Sequence, residues 1–254
     1  MFVGMIHLQS LPAGPRPSEG FAQVMRAAMT DAQALAEGGV DGLILENFGD
    51  APFPAGPVEP HVVAFAAIVA ARVKDLYPRL QVGVNLLRND VYGAMGAAAA
   101  AGADFVRVNV HAGAMLTDQG ILQGDAHRSL RYRRELGVPL RVAADVLVKH
   151  AVPLGPVELG SIAADTYRRG GADMLVVTGQ GTGHGADPAR VEIVRAAVPE
   201  APIWVGSGVT LESARLWRRL VQGAIVGTAL HQDGNIALPI ERERVRAMVA
   251  AWSE

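Results

Sequence analysis

The feature that most limits what this chain can become is an unbroken alternation of short apolar runs with longer stretches of helical period. Apolar runs of strand length fall at 2–8, 42–46, 81–87, 105–110, 141–148, 174–178, 203–207 and 224–227. They show no apolar/polar alternation, which is the pattern of strands covered on both faces in a parallel sheet. Segments with helical period lie between them, at 19–37, 60–76, 91–101, 125–136, 159–169, 188–197, 212–220 and 240–252. Strand and helix in strict turn with short links build right-handed βαβ units, and eight units favour closure into a (β/α)8 barrel. An open doubly wound sheet would need an edge strand or a topological switch point, and neither is visible. The expected fold is α/β, a parallel eight-stranded TIM barrel formed as one domain over residues 1–254, a usual length for that architecture.

A weak repeat runs through the chain. Strands two, four and six are led into by Gly39-Val40-Asp41, Gly102-Ala103-Asp104 and Gly171-Ala172-Asp173, with Gly223-Ala224 a worn version before strand eight. Glycine there suits the left-handed residue that ends a helix. Strands three, five and seven instead follow Pro78, Pro139 and Pro202.

Composition narrows the function. Half the residues are apolar and 29 are glycine, as in a globular protein with a large core and many tight turns. The net charge of -2 comes from acids and bases spread evenly, so nucleic acid is set aside as a partner. Cysteine is absent, which removes disulfides, thiolate catalysis and cysteine-ligated metal. The N-terminal stretch MFVGMIHLQSLP has no basic segment and too short an apolar run for a signal peptide or a membrane span. A cytoplasmic protein without membrane insertion is expected, assembled as a homo-oligomer. Arginine is used almost throughout, and Lys74 and Lys149 are the only lysines.

In a barrel the C-terminal ends of the strands face the ligand. Polar residues gather there: His7 on strand one, Glu46 and Asn47 on strand two, Asn85 with Arg88 and Asn89 on strand three. Arg107, Asn109 and His111 alternate along strand four and are expected on one side. Strand five carries Asp145 and ends at Lys149-His150, and strand six ends at Thr178-Gly179. Buried charges need partners, so Glu46, Arg107 and Asp145 form either a structural ion-pair network or an active-site set. The expected roles are acid/base chemistry by Asp145 and Lys149, with Glu46 and His111 beside them, and substrate binding by His7, Asn47, Asn85, Arg88, Arg107, Asn109 and Thr178. Lys149 stands out because, unlike arginine, a desolvated lysine can give up its proton or form a Schiff base; an ion pair with Asp145 is the plain alternative.

Glycine turns carry the stronger signal. Val205-Gly206-Ser207-Gly208-Val209-Thr210 opens the seventh helix and Val226-Gly227-Thr228 follows strand eight. Glycines let backbone N–H groups approach an anion, and the loops after strands seven and eight are the usual phosphate cradle of this fold. Gly206, Ser207, Gly208, Gly227 and Thr228 are therefore expected to hold a small anionic or phosphorylated ligand. Gly179-Gln180-Gly181-Thr182-Gly183-His184-Gly185 is a further glycine loop, closed by Asp187 and Pro188 as N-cap and first helical residue. No cofactor is expected. A divalent metal is left open, because His7, Glu46, His111, Asp145, His150 and His184 could supply ligands, although no HExxH occurs.

Taken together, GMIHL, LENFGDAPF, VGVNLLRND, FVRVNVHAGAMLTDQGILQG, RYRRELG, ADVLVKHAVPLG, VTGQGTG, VGSGVT and GAIVGTALHQDGN resemble the BtpA family, also called the BtpA/SgcQ family, along nearly the whole chain. The resemblance implies a barrel. It also implies one of two settings: a cyanobacterial member is tied to accumulation of photosystem I reaction-centre proteins, while others occur near sugar-utilisation genes. An enzyme of a phosphorylated sugar or nucleoside-like molecule is the favoured implication, and an assembly or stability factor for a membrane complex the alternative. Beyond the residues above, the resemblance carries Asp90, Thr117, Asp118, Gln119 and His150. The chain departs from the family at Gln9-Ser10, at Ser213-Ala214 and at His231, where lysine is frequent.

Overall fold

The computed structural model describes residues 1–179 and 185–254. In chain order the strands and helices are β1 (Phe2–His7), α1 (Phe21–Gly38), β2 (Gly42–Glu46), α2 (Pro60–Leu76), β3 (Gln81–Asn85), α3 (Val91–Ala101), β4 (Phe105–Val108), β5 (Ala114–Thr117), β6 (Gly120–Gln123), α4 (Ala126–Leu136), β7 (Arg141–Val146), β8 (Ala151–Pro153), α5 (Leu159–Ala164), β9 (Met174–Val177), α6 (Pro188–Ala197), β10 (Ile203–Val205), α7 (Ala214–Leu220), β11 (Gly223–Val226) and α8 (Arg242–Ser253). Eight strands close a parallel barrel in the order β1-β2-β3-β4-β7-β9-β10-β11, with β11 returning to β1. The expected TIM barrel is the fold observed.

Period two along each strand sorts the core into two layers. Phe2 and Ile6 of β1, Leu43 and Leu45 of β2, and Val106 and Val108 of β4 pack outward against the helices. Val3, Met5, Ile44, Phe105, Ala143, Met174, Val176, Trp204 and Ile225 fill the barrel interior. Two rings dominate that interior, Phe105 and Trp204, meeting edge to face with centroids 5.6 Å apart. Neighbouring strands supply glycine opposite them: a Cβ on Gly83 would stand 2.4 Å from the Phe105 ring, and one on Gly223 2.7 Å from Trp204. A side chain at either place would force those rings out of position.

The glycine–aspartate repeat has a structural purpose. Gly39 and Gly102 take the left-handed conformation that ends α1 and α3. The aspartate two residues later accepts a backbone N–H from the strand alongside: Asp41 from Phe2 (2.6 Å), Asp104 from Val82 (2.7 Å) and Asp173 from Val142 (2.8 Å). Lys74 belongs to the same rim, its Nζ 3.0 Å from Asp104.

The structure adds what the sequence pattern did not give. β5, β6 and β8 form a three-stranded antiparallel sheet from the loops after β4 and β7, in the order β6-β5-β8. These strands are only three or four residues long, β5 and β6 being joined through Asp118 and Gln119. One face, Met115, Leu122 and Pro153, turns toward Val110 and Val148; the other presents Leu116, Ile121 and Val152 to solvent. A second correction concerns the seventh helix, which begins at Ala214 rather than at 212 and has 7 residues.

Candidate active site

Following the inward phase of each strand to its C-terminal end gives one ring of eight positions: His7, Glu46, Asn85, Arg107, Asp145, Thr178, Gly206 and Gly227. Each lies two residues beyond an inward-facing residue, so the barrel plug is apolar below and polar or glycine at its top. A cavity of about 270 Å3 opens over this layer. Its polar lining comes from His7, Glu46, Arg107, Lys149, Ser207, Thr210 and Thr228, with Met5, Phe48, Ile225 and Ile236 among the apolar walls. That volume is at the small end of ligand pockets, which run from roughly 300 to 1,000 Å3.

The ring is not uniform in use. Arg107 and Asp145 face each other in a two-pronged ion pair, Nε to Oδ1 at 3.0 Å and Nη2 to Oδ2 at 3.1 Å, with 3% and 0% of their side chains exposed. Asn109 donates to the same carboxylate at 2.8 Å, and Asn85 braces Asn109 and the Arg107 carbonyl at 3.1 and 3.0 Å. Burial alone would lower the pKa of Arg107; the Asp145 and Glu46 carboxylates outweigh it and hold the value above the usual one. Asp145 does not line this cavity. Both carboxylate oxygens are engaged by Arg107 and Asn109, and among the described residues no ion pair within 4.0 Å joins Asp145 to Lys149.

Lys149 differs from Lys74 in its place and its partners. It lines the cavity, half-buried, and among the described residues its ammonium makes no ion pair within 4.0 Å. Desolvation lowers its pKa; Arg107 and Arg88 push the same way, while Glu46 and Asp145 oppose. A lysine so placed gives up its proton more readily than one on the surface. Its loop is held from β3 by Arg88, which donates to the Lys149 carbonyl at 2.5 Å. Leu147 and His150, on either side, both have left-handed backbone, with φ of 53° and 56°. Non-glycine residues adopt that region at a cost, and such strain gathers at functional sites. Glu46 also lines the cavity and is the carboxylate among its described lining residues.

The two expected anion turns line the same cavity: Gly206-Ser207-Gly208 after β10 and Gly227-Thr228 after β11. Ser207 Oγ accepts the Gly179 N–H at 2.8 Å, tying the turn to the end of β9. Among the described residues no protein acceptor takes the amide N–H of Gly208 or Thr228. Backbone N–H groups left without a protein acceptor at a cavity can bind an anion without help from a helix dipole, and α7 starts too late to add one.

Other expected site residues are placed elsewhere. β4 ends at Val108 and the chain bends after it, so the alternation expected to carry His111 inward stops. The His111 ring turns to the Gly170 carbonyl at 2.8 Å and does not reach the cavity; burial lowers its pKa. Asn47 accepts the Leu87 N–H at 2.7 Å and braces the loop after β2. Thr178 is buried beside Gly206, short of the cavity lining. Residues 180–184, the middle of the glycine loop with His184, lie outside the described residues. Asp187 does cap α6, accepting from Ala189 N at 2.9 Å, with Pro188 next. Among the described residues no three His, Asp or Glu side chains gather as a metal site.

Sequence reasoning missed His231 as a site residue. Its ring stacks near His7, and Phe48 meets His7 on another side with centroids 4.9 Å apart. It was marked only as a departure from the family's frequent lysine, and its contact with His7 was not legible because His231 lies past the last barrel strand, between β11 and α8.

Comparison with known proteins agrees with this architecture. The sequence pattern of the BtpA family, described by that name, matches residues 1–254. The Photosystem I biogenesis protein BtpA of Synechocystis sp. is 41% identical over 252 residues, covering 99% of this chain and 88% of that protein. The putative sgc region protein SgcQ of Escherichia coli is 28% identical over 246 residues, covering 96% and 90%. Among solved structures, orotidine 5'-phosphate decarboxylase from Pyrococcus horikoshii OT3 aligns over 100% of both chains with a TM-score of 0.58 at 15% identity, a likeness of fold. No helix among the described residues is long and apolar enough to cross a membrane. With a family match that spans every residue and a relative 41% identical over 99% of this chain, this chain belongs to the BtpA family.

Proposed function

We propose that this protein is an enzyme that binds a small phosphorylated sugar or nucleoside-like molecule at the C-terminal face of the barrel. The observation that carries the reading is the meeting, in one cavity of about 270 Å3, of Lys149 with two turns whose Gly208 and Thr228 amides point to no protein acceptor. In this reading the phosphate sits on Gly206, Ser207, Gly208, Gly227 and Thr228. Lys149 and Glu46 then face the rest of the molecule as acid and base, while Arg107, locked by Asp145, supplies a fixed positive charge. A lyase, isomerase or glycosidic-bond cleavage suits such a set, since each needs a proton moved beside a stabilised negative charge. Support also comes from the fold neighbour above, whose name makes it an enzyme of a phosphorylated molecule.

The test is a thermal-shift and calorimetric screen with inorganic phosphate, ribose 5-phosphate and nucleoside monophosphates, since a ligand that binds only the folded state raises its Tm. Binding that disappears in Ser207→Asp, where a carboxylate would meet the phosphate, supports the cradle. Turnover of any ligand so found should be lost in Lys149→Met with the fold intact.

One observation favours a second reading. Leu116, Ile121 and Val152 stand side by side on the solvent face of the mouth sheet, each about half exposed, and such apolar surface marks contact with another macromolecule. An assembly factor, as the Synechocystis relative's name describes that protein, would use such a face. Absence of binding by every phosphorylated compound in the screen would favour it.

A further inference from the structure

The hydrogen-bond partners of two histidines determine which ring nitrogens carry protons. His231 Nδ1 lies 2.6 Å from the Leu238 carbonyl oxygen, which can only accept, so Nδ1 bears the hydrogen. In a neutral ring its Nε2 is then a bare lone pair, and that atom faces His7 Nδ1 at 3.4 Å, a long hydrogen bond. Two lone pairs would repel there, so His7 Nδ1 is the donor. His7 Nε2 is left bare. The ring is held in this pose by Phe48 on one side and by Gly227 on another, where a Cβ would stand 2.6 Å from His7 Cε1 and 3.3 Å from Nε2. Since His7 lines the cavity, its one unshared nitrogen sits beside the second glycine turn.

We propose that His7 is a specificity-determining residue of the cavity: a hydrogen-bond acceptor, with its tautomer fixed by His231, that reads a hydroxyl on the ligand next to the phosphate turns. The ligand side of this inference rests on the phosphate reading above. A bare imidazole nitrogen cannot donate to a phosphate oxygen but accepts from an O–H, and from its place beside the turns it reaches a hydroxyl on the rest of the ligand, so the class selected is a hydroxylated phosphate ester over inorganic phosphate held in the turns alone. Burial keeps His7 neutral, and the charges around the pair add to it. Lys149 and Arg107 face it as cations, and burial together with these neighbours and His231 pushes its pKa down to about 3. Glu46 is its register partner on β2. Asp31 is the carboxyl near His231, and burial pushes its pKa up.

Long-range 1H–15N correlation spectra of the 15N-labelled full chain read the tautomers directly, with His7→Phe assigning the signals. The expected result is a neutral His7 with Nδ1–H and a bare Nε2 from pH 5 to pH 8. A His7 carrying Nε2–H, or an imidazolium in that range, overturns the proposal. In His231→Lys, where an ammonium donates to Nδ1, the proton of His7 should move to Nε2; the wild-type spectrum decides the matter should that variant fail to fold. Calorimetry with two probes tests selection: His7→Phe should weaken ribose 5-phosphate about tenfold, the worth of one hydrogen bond, and leave inorganic phosphate unchanged. Equal weakening of both probes overturns the role of His7 while the phosphate cradle stands. Failure of both probes to bind the wild type removes the cradle and, with it, the ligand class assigned to His7, even with the bare Nε2 observed.

Discussion

Arg107 and Asp145 are the residues on which the mouth is built, and their energetics separate structure from chemistry. Both side chains are out of water, so each relies on the other to offset desolvation. Arg107→Met is expected to lower unfolding free energy by about 3–5 kcal/mol in urea titration, because a lone carboxylate stays behind. Adding Asp145→Leu should return most of that loss; a single variant costing under about 1 kcal/mol would contradict the buried pair. Lys149 is expected to behave in the opposite way. Its ammonium is desolvated without an ion pair among the described residues, so Lys149→Met should leave Tm unchanged or raise it, measured by calorimetry. A clear drop in Tm would mean that the lysine serves the fold. Much of this ring was legible in the sequence, since period two counted along an apolar run says which polar residue faces inward. The pairing was not, because it depends on register: Arg107 lies beside Ala143, and only from there does its guanidinium meet the next inward residue, Asp145. His111 escaped for a related reason, as the phase of a strand says nothing once the strand has ended at Val108.

At the scale of elements, the repeated aspartate before even-numbered units shows how a sequence can reveal a pattern and withhold its cause. Glycine before a strand is readable as a helix end, whereas the hydrogen bond to the neighbouring strand exists only after closure. Asp104 serves two partners, the Val82 amide and Lys74 Nζ. Asp104→Ala is therefore expected to cost about 2 kcal/mol, the range for a hydrogen bond to a charged group whose buried partner is left unmet. Denaturant titration of that variant gives the figure, and a loss below about 0.5 kcal/mol would reduce the repeat to helix ending alone. The mouth sheet was illegible for the opposite reason. β5, β6 and β8 have three or four residues each, too few for any period to register, and β8 finds β5 only because the loops after β4 and β7 are neighbours in the barrel.

For the whole molecule, the buried histidines link stability to pH. His7 has a folded pKa of about 3 against an ordinary value of 6.5, so between those limits the unfolded chain holds a proton that the folded chain does not. Unfolding free energy then rises with pH across that window and falls on acidification, by up to about 1.4 kcal/mol per pH unit for one proton. His111, its pKa also lowered by burial, adds in the same direction. Asp31 and Asp50 work against them, because burial raises their pKa values and favours the folded state once they are protonated, an effect that sets in above their ordinary 3.8. Between pH 7.5 and pH 5 His7 alone should remove about 2 kcal/mol, and a variant without it separates that share from the other groups whose pKa is shifted. Urea titrations at half-unit intervals would show this as a sloping curve. The same series on His7→Gln should be flatter by close to one proton, and parallel curves for the two proteins would mean that His7 titrates in the folded chain as it does in water.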